Sequence, residues 1–270
     1  MSKTNIQLKD LTKALTAIYP ADLAESWDQI GLHFGRLDAK VNHVMISLDI
    51  RPNVVQEAID KGIDTIIVHH PPLFKAIQRF DLNKPEIAMY AELIKHDINV
   101  FAMHTNFDAA HNGMNDWLAQ QLGLLDIESL VSHEETENPG IGRVGRLEVP
   151  LTRNDLLNFL KETYQRQQLV VIEKEEKESY QKVGIVGGAG SSFLSAALEN
   201  EVDVFITGDV TYHQGHDFYE AGFMTIDAGH YIESIFVPGL TKDLQEMINE
   251  NNWNITVTAS QENTNPFSYE

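Results

Sequence analysis

At 270 residues and 43% hydrophobic, the chain can bury a substantial core, as one large domain or two smaller ones. It contains no cysteine, which excludes disulfides, thiolate zinc sites, iron–sulfur clusters and cysteine nucleophiles and fits a cytoplasmic protein. Twenty basic against 40 acidic residues, a formal net charge of −20, argue against a nucleic-acid platform, which needs a positive footprint to displace counterions.

No run of the sequence reaches the length of a membrane span, and Lys9, Asp10 and Lys13 among scattered apolar positions do not read as a signal peptide. Leu8, Leu11, Leu15 and Ile18 recur at helical spacing ahead of Pro20, which predicts a helix over Leu8–Ile18. The following stretch, 26–35, carries Trp27, Phe34 and two glycines and reads as a loop. A strand is expected at 44–48, and a helix at 52–61 with Pro52 in its first turn. The β-branched run Thr65–Val68 follows the Gly62 turn signal and reads as a buried strand. A helix at 85–96, a strand at 99–103 and a helix at 111–122 complete a βαβαβα rhythm, which implies a parallel sheet.

The polar stretch 132–140 ends in Pro139-Gly140 and marks a loop or a connection between lobes. A strand at 144–149 leads into a helix capped by Thr152, with Asp155 at the capping-box position. Strands at 169–172, 183–186 and 202–207, a helix from Ser191, the helix Tyr212–Ala221 and a strand at 223–227 repeat the alternation. A long helix at 232–249 precedes a closing strand at 254–258, and the tail 261–270 is expected to be loosely ordered.

Three of these strand ends bring up metal-ligand chemistry. Val68-His69-His70-Pro71-Pro72 places two imidazoles where a strand stops and cannot continue. His104 and Asp108 leave the strand at 99–103. His230 and Glu233 follow Gly229, three residues apart, so that on a helix both side chains share one face. Beyond the carboxyl ends of its strands is where an open α/β sheet binds ligands. Taken singly, each piece has a structural explanation: a capped strand end, a helix N-cap at Asp108, a surface His–Glu pair. Together, His69, His70, His104, Asp108, His230 and Glu233 form an imidazole–carboxylate set suited to zinc, iron or manganese rather than calcium. Six such ligands exceed what one open catalytic ion needs and suit two ions about 3.5–4 Å apart.

Two further stretches stand near such ends. Asp209, His213 and His216 are either an additional ligand or proton-transfer group, or a helix cap with solvated imidazoles. Gly187-Gly188-Ala189-Gly190-Ser191-Ser192 lacks the Gly-Lys-Ser/Thr of a phosphate-binding loop. It reads first as a tight packing turn, with a phosphate cradle at the helix N-terminus as the alternative.

With these stretches assembled, the chain resembles the Nif-three-like family, whose bacterial members are named GTP cyclohydrolase 1 type 2 homologues. The resemblance spans nearly the whole chain. It rests, in order, on Trp27-Asp28-Gln29-Ile30-Gly31-Leu32, Val68-His69-His70-Pro71, and His104-Thr105-Asn106-Phe107-Asp108. It continues through Gly187-Gly188-Ala189-Gly190-Ser191, Thr207-Gly208-Asp209 with His213, and Gly229-His230-Tyr231 with Glu233.

The resemblance implies an α/β protein of two interlocked lobes with mostly parallel sheets flanked by helices, the first formed by 1–130 plus 225–270 and the second by 131–224. It implies a dinuclear centre with His69, His70, Asp108, His230 and Glu233 as ligands, His104 nearby as the catalytic proton shuttle, and two divalent ions (zinc, iron or manganese). It also implies a toroidal homohexamer. Many relatives carry the glutamate four residues after the histidine, where this chain has Ser234, so Glu233 takes that role here. Some carry a domain inserted mid-chain, and this chain has only the 132–140 loop there. The expected activity is metal-dependent hydrolysis of a small molecule such as a nucleotide. The alternative is a non-catalytic metal-binding ring that serves as a protein-interaction scaffold.

Overall fold

The apolar runs expected as strands pair side by side into two sheets, one in each of two compact units. The computed structural model describes residues 3–131 and 139–268. The first unit comprises 1–107 with 236–266, and the second 108–235 with 267–270. Most of the 132–140 stretch, residues 132–138, lies outside the described residues.

In the first unit, Thr256–Ala259, His43–Ser47, Thr65–Val68 and Asn99–Ala102 lie parallel in that order, with Gly31–Phe34 antiparallel at the edge. Thr65–Val68 is buried throughout, as a parallel strand covered on both faces must be. Its alternation decides which helices cover it. Ile66 and Val68 pack in one cluster with Val54, Val55 and Ala58 of the helix Pro52–Asp60 and with Ile87, Tyr90 and Leu93 of the helix Pro85–Lys95. The helix Phe236–Glu250 packs on the strands Thr256–Ala259 and His43–Ser47.

In the second unit the parallel core is Tyr180–Ile185, Val204–Thr207 and Met224–Asp227, and antiparallel strands complete a six-stranded sheet around it. Phe205, Phe218 and Phe223 centre its apolar cluster. Thr152 caps the helix Arg153–Thr163 as its spacing predicts.

Four expectations change. The stretch 26–35 contains the edge strand Gly31–Phe34, bounded by Gly31 and Gly35 at φ of 99° and 95°. The helix expected at 111–122 starts only at Met114, because Asn112 takes φ 54°. The helix expected at 232–249 is a 3-10 segment, His230–Ile235, followed by the α-helix Phe236–Glu250. Pro238 explains that break: inside a longer helix it would remove a hydrogen bond, whereas in a first turn its missing N–H costs nothing. The tail is anchored through residue 264 rather than loose. The Gln261 N–H donates to Glu57, Asn53 donates to Glu262 at 2.7 Å, and the Thr264 hydroxyl donates to Asp49. No helix among the described residues is long and apolar enough to cross a membrane.

Candidate metal-binding residues

Strand register brings His69, His70 and His104 of the first unit to one sheet edge. Ser47 pairs with Val68, and Val68 with Ala102, so three parallel strands end in one row. Asp49, His69, His70 and His104 leave that row directly, at the carboxyl ends where such sheets bind ligands.

Each imidazole is then fixed by a partner on Nδ1. His69, completely buried, donates from Nδ1 to the Met103 carbonyl at 2.9 Å. His70 donates to Asp49 at 2.8 Å, and His104 donates to Asp28 at 2.9 Å. A carbonyl or an ionised carboxylate only accepts, so Nδ1 carries a proton, and in the neutral ring the lone pair is then on Nε2. That tautomer, held by an outer oxygen acceptor, is the one a metal-ligating histidine uses. The three ring centroids stand 4.8, 5.2 and 5.7 Å apart, and each ring offers a ligand atom within 4.8 Å of the others.

The two carboxylates behind these rings stay charged. Burial alone would raise the Asp28 pKa, but hydrogen bonds from His104 and Thr105 outweigh it and bring the value down to about 2. Thr105 donates to Asp28 from both its backbone N–H, at 3.0 Å, and its hydroxyl, at 2.6 Å. Asp49 follows the same balance: burial raises its pKa, while the bonds from His70 and Thr264 and the Arg51 charge leave it below its ordinary value.

The second unit repeats the arrangement. Ile185 pairs with Ile206 and Ile206 with Ile226, so the 187–190 turn, Gly208-Asp209 and Gly229-His230 leave one sheet edge together. His230 donates from Nδ1 to Asp209 at 2.7 Å, and its Nε2 lies 3.1 Å from Glu233 Oε2. Glu233 is buried, with 2% of its surface exposed.

Backbone glycines make room for this pair. A Cβ on Gly188 would lie 2.6 Å from Glu233 Oε1 and 3.2 Å from His230 Nε2, and one on Gly208 would lie 2.7 Å from the His230 nitrogen. Gly187–Ser192 is thus a close-packing turn against His230 and Glu233. Asp108 sits on the short helix Thr105–Ala109, one turn after His104, and is 8% exposed. Its carbonyl accepts from the Asn115 amide, whose oxygen accepts from the Gly187 N–H. Buried Arg143 pairs with Asp116 and donates to the carbonyls of Ala109 and Ala110 at 3.1 and 3.2 Å, which pins the end of that helix.

His69, His70 and His104 thus converge in the first unit, and His230 and Glu233 converge in the second. His213 and His216 do not join them. Both rings stand against Tyr212, on the exposed side of the helix Tyr212–Ala221. Asp209 orients His230 and does not cap that helix, which Thr211 and Gln214 cap. Spacing alone points to none of Asp28, Asp49 or Arg143 as supports. The described residues therefore hold His, Asp and Glu groups able to bind a metal, and their mix of nitrogen and oxygen donors fits zinc, iron or manganese.

Known proteins resemble this chain in sequence and fold. The profile of the Duf34/NIF3 (NGG1p interacting factor 3) family matches residues 6–266. A Streptococcus pneumoniae protein called GTP cyclohydrolase 1 type 2 homolog is 38% identical over 263 residues, covering 96% of this chain and 98% of its own. The crystal structure of a Bacillus cereus protein related to NIF3 superposes with a TM-score of 0.93 at 25% identity, over the whole of both chains. That of reduced HcgD from Methanocaldococcus jannaschii gives 0.80 at 28% identity, over 97% of this chain and 100% of its own.

Proposed function

This chain belongs to the Duf34/NIF3 family, and from that premise we propose that it is a metal-dependent hydrolase. In this reading His69, His70, Asp108, His230 and Glu233 hold two divalent ions of zinc, iron or manganese, and the substrate is a nucleotide or a related small molecule. The observation that carries the reading is the orientation of three imidazoles. His69, His70 and His230 each bond an oxygen through Nδ1 at 2.7–2.9 Å, the arrangement of a metal-ligating histidine held by an outer acceptor.

When bound, a pair of such ions would lower the pKa of a coordinated water towards about 7 and so supply the attacking nucleophile. The chain's own residues do the rest. Asp49 and Asp209 hold His70 and His230 in the ligating orientation, Asp28 holds the His104 ring, and Gly188 leaves room for the Glu233 carboxylate. His104 is the proton carrier: Asp28 orients its ring through Nδ1 while Nε2 takes up or hands on a proton. The name carried by the relatives points to GTP as a substrate, with water attacking a ring carbon of guanine. We place the assembly as a homohexamer.

The test is turnover of GTP and other nucleotides by metal-loaded protein. Wild type should release a hydrolysed product. Glu233→Ala should lose both metal and activity, whereas His104→Gln should keep its metal and lose at least about a hundredfold in rate. Loss of metal in His104→Gln would instead make His104 a ligand. No turnover of any nucleotide or phosphate ester by fully loaded protein would contradict the hydrolase reading and favour a metal-binding scaffold.

A further inference from the structure

The charge of this protein is unevenly distributed around His70. Two adjoining clefts of about 540 and 460 Å³ lie in the first unit, sharing Pro72, Glu86 and Tyr90 in their walls, and His70 lines the smaller one. Across a chain with twice as many acidic as basic residues, these clefts reverse the ratio. Their charged lining is Arg51, Lys75, Arg79 and Lys84 against Asp49 and Glu86. Both carboxylates have hydrogen-bond partners: His70 and Thr264 donate to Asp49, and the Tyr90 hydroxyl lies 2.8 Å from Glu86. Among the described residues none of the four cations forms an ion pair. Arg51 acts on Asp49 only as a nearby positive charge. Cations gathered in a concave site without counter-charges focus a positive potential and draw an anion.

A second feature adjoins the first. Trp27 and Phe74 are 54% and 52% exposed, with ring centroids 5.9 Å apart. Phe74 also lines the larger cleft, and Trp27 stands edge-on to the His104 ring at 6.1 Å. Large aromatic faces left in water beside a cationic cleft provide a stacking platform for a planar ring.

We propose that these clefts are the phosphate subsite of a nucleotide-class ligand, with Lys75, Arg79 and Lys84 receiving the phosphate chain and Trp27 and Phe74 stacking on the base. The inference deepens the hydrolase reading and rests on it only for what happens to the ligand beside His70 and His104. Specificity then divides by chemistry. The cations demand a charged chain, and the aromatics accept a flat ring.

Binding to full-length protein as purified tests the subsite without recourse to turnover. The probes are GTP, guanosine and inorganic triphosphate, followed by calorimetry and by tryptophan fluorescence. Trp117 and Trp253 are each only 9% exposed, so Trp27 dominates any response to an external ring. GTP should bind saturably, inorganic triphosphate should displace it, and guanosine should bind at least about tenfold more weakly, the loss expected for one charged contact. The triple charge reversal Lys75→Glu, Arg79→Glu, Lys84→Glu changes only exposed side chains. It should weaken GTP at least about tenfold while the circular dichroism spectrum stays that of wild type, and Trp27→Phe should abolish the fluorescence response. Equal affinity for GTP and guanosine, or unchanged GTP affinity in the triple variant, overturns the proposal. The two readings fail separately. Binding with these properties but without turnover leaves the subsite and sinks the hydrolase, while metal-dependent turnover indifferent to the triple variant does the reverse.

Discussion

Replacing Gly188 by alanine should disable the His230–Glu233 pair at small cost to the fold. Gly188 has φ +62°, and an added Cβ would lie 2.6 Å from Glu233 Oε1. The carboxylate must retreat by roughly half an ångström or more to restore an ordinary contact. The left-handed backbone also costs alanine roughly 1–2 kcal/mol. Gly62 separates the two effects, because it has the same φ of +62° with nothing within 4 Å of an added Cβ. Gly62→Ala should therefore lose about 1 kcal/mol in urea unfolding and bind metal normally. Gly188→Ala should lose a similar amount of stability, yet bind metal about 10–100-fold more weakly, the scale seen when a ligand's support is displaced. Metal affinity by chelator competition and stability by urea midpoint, on both variants, decide it. Wild-type metal affinity in Gly188→Ala would refute the reasoning that this turn shapes a ligand pocket.

Two further outcomes follow from the same contacts. The Asp28 pKa of about 2 lies below the ordinary 3.8, so Asp28 contributes stability above about pH 4 and loses it as pH falls towards 2. That contribution is about 2 kcal/mol, and Asp28→Asn should flatten the acid limb of stability against pH between 4 and 2; an unchanged slope would contradict it. Sedimentation should show a species near six times the 30.4 kDa chain mass, and a monomer would remove the hexamer from the account.

Much of the fold is legible because its strands are short, β-branched and buried. Thr65–Val68, Leu8–Ile18 and Tyr212–Ala221 fall where periodicity puts them. The edge strand Gly31–Phe34 is not legible, since flanking glycines at positive φ imitate turn punctuation. Pro238 could have marked where the last helix begins, because its fixed φ and missing N–H suit a first turn. The strand-end histidines are legible because three strand ends each carry a possible ligand, though each alone has a structural explanation. The aspartates that orient them are hidden by distance along the chain: Asp28 lies 76 residues from His104, Asp49 21 from His70, and Asp209 21 from His230. Such pairings belong to the tertiary fold, and spacing arguments reach only about one helical turn. Arg143 escapes for the same reason, since a lone arginine in a strand looks like surface until its carbonyl partners are seen.

We propose above all that His69, His70, Asp108, His230 and Glu233 bind metal. Elemental analysis tests it most directly, on protein purified without added metal, for wild type and for the double variant His69→Ala with His230→Ala. About two equivalents of zinc, iron or manganese in wild type, lost in the double variant while its circular dichroism spectrum is unchanged, is the predicted result. No metal in wild type, and no uptake when zinc, iron or manganese is supplied, would contradict it.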